Sequence, residues 1–436
     1  MQKSRHLHKQ FWLYIFLLPL AFHPFTLARA DSSVISTATR EGRLAVFDDV
    51  WETIRDRYYD PAFHGVDWQA LRAEFRTLAA DAQSTAQFYT VLRRMIGLLG
   101  DAHTRVYAPE ERFDWQRPRF ISIGISVREV AGAPTVVALE RGSEAERAGL
   151  RPGDVLLSVD GEPAHAVFTR SLKERSGSQV SAAARLQAMA ALFDGPHNSM
   201  VRVAWISVDG KQKEVSLRRE WREREPVLRV QRVSGGYDVV EFNLFTQAVA
   251  TGLVRALGGK LRGSRGLILD LRSNGGGEAE AMTEVASAFL PAGKSLGRFT
   301  DRSGRIVFEP QTRAAMLFAS DSIRRFNGPV VILTSEKTSS AAEIFVAAML
   351  EARRATVIGG PTCGCVLAIR RPHRLPDGGE LNISELDYRS AVGMRLEGQG
   401  ITPDENVSLN KKDLRARLDR AVERAIERLK VDERAR

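Results

Sequence analysis

The sequence has few cysteines and few histidines, which restricts the kinds of site that it could build. Its two cysteines, Cys363 and Cys365, are too few for a disulfide framework, and a bridge across one intervening residue would be strained. We therefore expect two small, partly buried thiols. The five histidines that follow residue 30 have no spacing typical of metal ligands. The sequence thus predicts neither a metal site nor a cofactor.

The sequence has no apolar run long enough to span a bilayer comfortably; the apolar run near the N-terminus is too short. This run, Phe11–Phe22, follows basic residues and precedes Ala28-Arg29-Ala30, an A-x-A cleavage pattern. Residues 1–30 are therefore predicted to be a secretory signal. We expect an exported chain, with the periplasm favoured over release outside the cell.

Strong charge clustering is absent as well. The formal net charge is +10, and removing Lys3, Arg5, Lys9 and Arg29 with the signal leaves 10 − 4 = +6. The remaining charges are interspersed, with no basic run that alternates with aromatic residues. This pattern argues against nucleic-acid binding and leaves peripheral contact with a membrane surface open.

The mature chain divides by pattern into regions. Helical periodicity dominates residues 31–110, and short β-type runs dominate 115–222. Residues 225–410 alternate buried strands with helices, which predicts an α/β core with a mostly parallel sheet. An amphipathic helix is predicted over 411–436, with Leu414, Leu418 and Leu429 among its apolar face.

Candidate chemistry is concentrated at the ends of two predicted strands. Ser340 follows the strand 330–335 and begins a helix, where free N–H groups suit a nucleophile, although Ser340-x-x-Glu343 is also a capping box. The glycine loop 273–277 is either a tight turn or an oxyanion hole. A serine nucleophile needs a base, and the base needs an orienting acid. His103, in L-x-D-x-H-T, stands out among the histidines, but a lone histidine is usually structural or exposed, and a lone loop glutamate such as Glu397 is most often solvated.

Together these segments resemble the tail-specific, or C-terminal-processing, serine peptidases from about residue 45 to the end of the chain. The resemblance is carried by LGDAHT (99–104), GSEAERAGLRPGDVLLSVDG (142–161), GLILDLRSNGGG (266–277), TSSAAEIF (338–345) and EGQGITPD (397–404). It implies a crotonase- or ClpP-like core, a PDZ-like domain and cleavage of protein or peptide substrates with accessible C-termini. It also implies an oxyanion hole from Gly275, Gly276 and Ala341, and a peptide-binding loop formed by Ser122, Ile123, Gly124 and Ile125.

The resemblance departs from one catalytic style of that family and fits the other. Where the Ser–Lys type has lysine, this chain has Cys365. The tricorn-like type instead uses serine, histidine and glutamate, here Ser340, His103 and Glu397, with Ser339 as the competing nucleophile. Ala102 stands where such relatives can carry a serine that helps to orient the glutamate. The alternative hypothesis is a non-catalytic peptide- or lipid-binding protein on the same fold.

Overall fold

The computed structural model describes residues 35–111, 119–175, 182–314 and 325–434. The predicted signal, residues 1–30, lies outside these ranges. No helix within them is both long and apolar enough to cross a bilayer.

Three capped helices form the N-terminal region, which confirms its predicted helical character. Each begins at a side chain that accepts a hydrogen bond from the first turn; Asp67, for example, accepts one from the backbone N–H of Ala70. Their buried faces form one apolar cluster with Leu375, Leu381 and Ile383 from much later in the chain. The elements are α1 (Arg40–Arg57), α2 (Trp68–Ala80), α3 (Thr85–Gly97) and β1 (Arg105–Tyr107).

Residues 119–175 and 182–223 form a β-rich unit with a core of its own, as expected for a PDZ-like domain. Its main sheet has the order β3-β4-β5-β7-β8, with β6 beside β5, so that β3 is an edge strand; β2 pairs with β9. The elements are β2 (Arg119–Ser122), β3 (Ile125–Val130), β4 (Ala133–Leu139), α4 (Glu144–Arg147), β5 (Val155–Val159), β6 (Glu162–Pro163), α5 (Ala164–Arg175), α6 (Ala182–Ala190), β7 (Met200–Ile206), β8 (Gln212–Arg218) and β9 (Glu220–Glu223).

The described residues from 224 onward form the predicted α/β core around a six-stranded sheet. Its order is β10-β11-β12-β15-β16-β20, parallel except for the antiparallel edge strand β10. The central strands are apolar along their length because helices cover both faces. The elements are β10 (Leu228–Arg232), β11 (Asp238–Phe242), α7 (Gln247–Gly258), β12 (Leu267–Asp270), α8 (Ala279–Ser287), β13 (Arg298–Thr300), β14 (Ile306–Phe308), β15 (Val330–Thr334), α9 (Ala341–Glu351), β16 (Thr356–Gly359), β17 (His373–Arg374), β18 (Glu380–Asn382), β19 (Asp387–Arg389), β20 (Glu405–Asn406), α10 (Lys411–Ala416) and α11 (Arg420–Arg434).

A small sheet joins the N-terminal region to this core. Strand β1 pairs antiparallel with β18, which also pairs with β17. A second small sheet has the order β14-β13-β19. Because β1 begins two residues after His103, its pairing with β18 holds the His103 segment against the α/β core.

The C-terminal stretch differs from the single helix that the sequence predicts. It forms two helices, α10 and α11, because Arg417 adopts a left-handed conformation (φ 54°) that ends the first of them. Leu418 is consequently 44% exposed, whereas Ala425 and Leu429 of α11 are fully buried against the sheet. The predicted apolar face is therefore wrong at Leu418.

Candidate active site

Ser340 stands at a sharp turn between strand β15 and helix α9. Its backbone angles, φ 55° and ψ −126°, lie outside the regions that L-residues usually adopt, and outside the extended conformation of an ordinary N-cap. The turn is fixed because Thr338 Oγ1 donates to the carbonyl of Leu271 at 2.8 Å. A strained serine at a strand-to-helix turn is typical of exposed nucleophiles.

The predicted glycine loop presses directly against this serine. Gly276 has φ 92°, and a Cβ placed on it would lie 2.6 Å from the Cβ of Ser340 and 3.0 Å from the nitrogen of Ala341. Only glycine permits so close an approach. The loop and the first turn of α9 therefore form one compact structure.

The N–H groups of the loop already have acceptors in this structure. Gly275 donates to the carbonyl of Asn243 at 3.1 Å, and Gly276 donates to Oδ1 of Asn274 at 2.9 Å. The fully buried Asn274 was not singled out from the sequence, although it lies inside the glycine motif. Ala341 is the first residue of α9, where a helix leaves its N–H groups without intrahelical acceptors.

His103 lies in a turn held by one carboxylate. Oδ1 of Asp101 accepts hydrogen bonds from the backbone nitrogens of His103 and Thr104, both at 2.7 Å, and from Ser384 Oγ at 3.0 Å. Nδ1 of His103 is buried without a hydrogen-bond partner among the described residues. Burial lowers the pKa of His103 to about 4, so the ring is neutral at pH 7 and able to accept a proton.

Glu397 is engaged with the backbone rather than with His103. Its Oε2 accepts hydrogen bonds from Val366 at 2.7 Å and Leu367 at 3.2 Å. Burial, assisted by the charges of Asp101 and Glu343, raises the pKa of Glu397 to about 8, although the two N–H groups act against this. Within the described ranges, no hydrogen bond joins Ser340, His103 and Glu397 to one another.

Charged groups near Ser340, His103 and Glu397 nevertheless interact with one another. Glu343 accepts from the backbone N–H of Ser340 at 3.3 Å, and its charge acts on Glu397. The charge of Asp101 acts in turn on both Glu397 and His103. The three predicted residues thus belong to one neighbourhood, although their side chains are not paired.

Glu343 does more than the capping role that its spacing predicts. This fully buried carboxylate accepts hydrogen bonds from Thr362 Oγ1 and from the N–H groups of Gly364 and Cys365, the latter two at 2.7 and 2.8 Å. Burial raises the pKa of Glu343 to about 7. It therefore joins the start of α9 to the loop 362–365, a role that the local S-x-x-E pattern gave no means of finding.

The two cysteines correct the expectation of separate thiols. Cys363 and Cys365 are buried and form a disulfide. Their loop is shaped by bonds to the serine segment, because Cys363 N–H donates to the carbonyl of Thr338 at 3.0 Å. Local spacing does not reveal this tertiary support.

The predicted peptide-binding loop lies at the start of edge strand β3. Gly124 (φ 82°) donates its N–H to Ser122 Oγ at 3.0 Å, and Ser122 Oγ donates to Glu140 at 2.6 Å. Helix α6 is tied to β3 by a salt bridge between Arg185 and Glu129 at 2.6 Å. An open strand edge beside a helix is the arrangement that accepts an added peptide strand.

Sequence comparison identifies the same three regions. Residues 238–407 match the sequence model of peptidase family S41, residues 40–97 match the tricorn protease C1 domain, and residues 135–174 match a PDZ domain. Carboxyl-terminal-processing peptidase 1 (chloroplastic) of Arabidopsis thaliana is 26% identical over 380 residues, which cover 84% of this chain and 71% of that protein. The carboxyl-terminal-processing protease of a Synechocystis species is 26% identical over 367 residues, 82% of this chain and 79% of its own.

Solved structures share the fold. The photosystem II D1 C-terminal processing protease superposes with a TM-score of 0.56 at 23% identity, covering 85% of this chain and 94% of its own. Mature CPAF complexed with lactacystin superposes with a TM-score of 0.65 at 13% identity, and the match covers 90% of this chain and 98% of the CPAF chain. The family models and the relatives agree that this chain is a serine peptidase, with a family S41 domain over residues 238–407 and a PDZ domain over residues 135–174, and that it is similar to the carboxyl-terminal-processing peptidases.

Proposed function

We propose that this protein is an exported endopeptidase that cleaves proteins or peptides through a Ser340–His103–Glu397 triad, and that it selects them by their C-termini. The observation that carries the proposal is the backbone of Ser340, which is held in a strained conformation at the start of α9 and against Gly276. A cap alone does not require such strain, whereas a nucleophile that must project from its turn does.

The chemistry assigned to the triad starts from a neutral His103. Neutral His103 takes the proton of Ser340 Oγ as the oxygen attacks the peptide carbonyl, and later gives a proton to the leaving amine. Ionised Glu397 would stabilise the imidazolium that forms in between. That imidazolium would lower the pKa of Glu397 from its present raised value and favour the ionised form.

The oxyanion would be held by backbone N–H groups of Ala341 and of Gly275 or Gly276. Because both glycine N–H groups now donate within the protein, one of them must exchange its acceptor for the substrate oxygen. Losing one such donor in a known peptidase costs about 3 kcal/mol of transition-state stabilisation. We therefore infer that substrate binding rearranges the glycine loop and brings Glu397 to His103.

Substrate selection is assigned to the edge strand β3 and the loop that precedes it. A peptide C-terminus would extend the PDZ sheet along β3, with its carboxylate near Gly124. The names of the relatives, which describe processing at carboxyl termini, support this assignment. Export is proposed from the signal pattern of residues 1–30.

The test compares purified residues 31–436 with the variants Ser340→Ala, His103→Ala and Ser339→Ala. The substrate is a protein with an unstructured, apolar C-terminus, and a second form has that tail replaced by a charged sequence. We expect cleavage of the apolar-tailed form by wild type and by Ser339→Ala, and losses of several orders of magnitude in the other two variants. Full activity of Ser340→Ala would overturn the triad, whereas equal cleavage of both tails would overturn only the selection by C-termini.

A further inference from the structure

Three basic side chains, those of Arg128, Arg224 and Lys337, lie within electrostatic range of one another beside the serine turn, where the PDZ-like domain contacts the α/β core. Arg128 comes from β3, Arg224 follows β9, and Lys337 lies three residues before Ser340. Arg128 pairs with Glu336, the residue next to Lys337. Nη1 of Arg224 lies 3.0 Å from where a Cβ on Gly275 would be, so its guanidinium covers the glycine loop.

This cluster contains fewer carboxylates than basic side chains. Within the described residues, Glu336 is the carboxylate that pairs with the cluster, and it pairs with Arg128. Among these described residues, neither Arg224 nor Lys337 has an ion pair. The guanidinium of Arg224 makes a cation–π contact with Phe120, with its Cζ 5.9 Å from the ring centre. The cluster therefore has three basic side chains for one carboxylate.

Burial makes this imbalance costly. The Arg128 side chain is only 9% exposed, and its Nε has no hydrogen-bond partner among the described residues. Burial, together with the charges of Arg128 and Arg224, lowers the pKa of Lys337 to about 7. Desolvated like charges repel one another, and an anion placed among them would relieve that repulsion while satisfying their N–H groups.

The position of the cluster indicates which anion it could bind. Gly275 lies under Arg224, and its neighbour Gly276 contacts Ser340, so a group bound to the cluster is close to the attacked carbonyl. A peptide that reaches Ser340 from β3 would also pass Arg128. We infer that Arg224 and Lys337 form a subsite that binds a carboxylate of the substrate peptide next to the scissile bond. This inference rests on the proposed peptidase function.

Two sources could supply the carboxylate: an Asp or Glu side chain, or the free C-terminus of a short peptide. The scissile bond is first located by mass spectrometry in a peptide that wild type cleaves. Glu is then compared with Gln at each position within three residues of that bond, in peptides with amidated C-termini. A parallel pair with free and amidated ends tests the second source.

We expect one Glu position, or the free end, to raise kcat/KM by roughly 10- to 100-fold, as a charge-assisted hydrogen bond would. Arg224→Gln and Lys337→Gln should lower that preference, and Arg224→Lys should retain part of it. Arg229→Gln, at an exposed arginine of β10, serves as the matched control and should leave the preference intact. Thermal melting shows whether each variant is folded.

Two results would overturn the subsite. One is the absence of any carboxylate preference in wild type that cleaves neutral peptides. The other is an equal fall in kcat/KM for acidic and neutral peptides in the folded Arg224→Gln and Lys337→Gln variants. Such a fall would mean that the two side chains support the reacting carbonyl instead. If wild type cleaves no peptide at all, the proposed function fails and the subsite fails with it.

Discussion

The backbone N–H of Ser340 donates a hydrogen bond to the carbonyl oxygen of Cys365 at 2.8 Å. Cys365, which the family resemblance places where the Ser–Lys type has its lysine, therefore contacts Ser340, the proposed nucleophile, through its main chain. Glu343 strengthens the same link, because it accepts from the N–H groups of both Ser340 and Cys365. The conformation of the disulfide loop 363–365 and that of the serine turn are consequently coupled.

Reduction of the disulfide should therefore lower activity. Without reductant, we expect the folded protein to resist alkylation at Cys363 and Cys365, as measured by intact mass. A dithiol reductant should expose two alkylation sites and reduce kcat/KM, because the loop that supports Ser340 gains freedom. The Cys363→Ser/Cys365→Ser variant provides the control, since its activity should not respond to reductant. Alkylation of both thiols in untreated protein would contradict the bridge.

Gly276→Ala should abolish most activity. The added methyl group would overlap the Cβ of Ser340 and would require a side chain at φ 92°. Displacing the nucleophile by about 1 Å can cost about 100-fold in rate, so we expect a fall in kcat of at least that order. Gly263→Ala is the matched control, because a Cβ there meets no atom within 4 Å. Similar activity of the two variants would show that the contact with Ser340 is unimportant.

Local sequence patterns predict some parts of the fold and of the candidate site, whereas parts that depend on tertiary contacts escape them. The strand-to-helix turn at Ser340, the glycine loop and the parallel core could be predicted because each depends on a local sequence pattern. The wider role of Glu343 and the pairing of Cys363 with Cys365 were not, because they depend on a tertiary contact between α9 and the loop 362–365. The break at Arg417 also escaped prediction, since the apolar periodicity continues through it.

The pKa of His103 should be well below that of an ordinary histidine. Burial lowers it to about 4, so the ring should stay neutral as the pH falls from 8 to 5. Histidine ring signals in NMR spectra of the ¹³C-histidine-labelled Ser340→Ala variant would report this directly. Comparison with the same protein carrying His103→Gln assigns the signal. Titration at pH 6.5 or above would contradict the buried, neutral ring.

Glu397 should make the protein less stable as the pH rises. Its folded pKa of about 8 exceeds the unfolded value of 4.5, so the folded state retains a proton that the unfolded state has lost. The stabilisation from this group is complete below pH 4.5 and is lost as the pH rises through 8. The difference in unfolding free energy between wild type and Glu397→Gln, measured with urea, should therefore fall between pH 5 and 8.5.

Glu74→Gln, at an exposed position of α2, is the control for replacing a glutamate that is not buried. An increase of the Glu397 difference with pH would mean that this carboxylate is ionised in the folded protein.

Labelling of Ser340 by a fluorophosphonate tests the central claim most directly, because such a probe reacts only with a serine that its surroundings have made nucleophilic. Residues 31–436 are incubated with the probe, and the modified peptide is identified by mass spectrometry. We predict a single adduct on Ser340, lost in Ser340→Ala, strongly slowed in His103→Ala and retained in Ser339→Ala. An adduct on Ser339, or equal labelling of wild type and His103→Ala, would contradict the proposed triad.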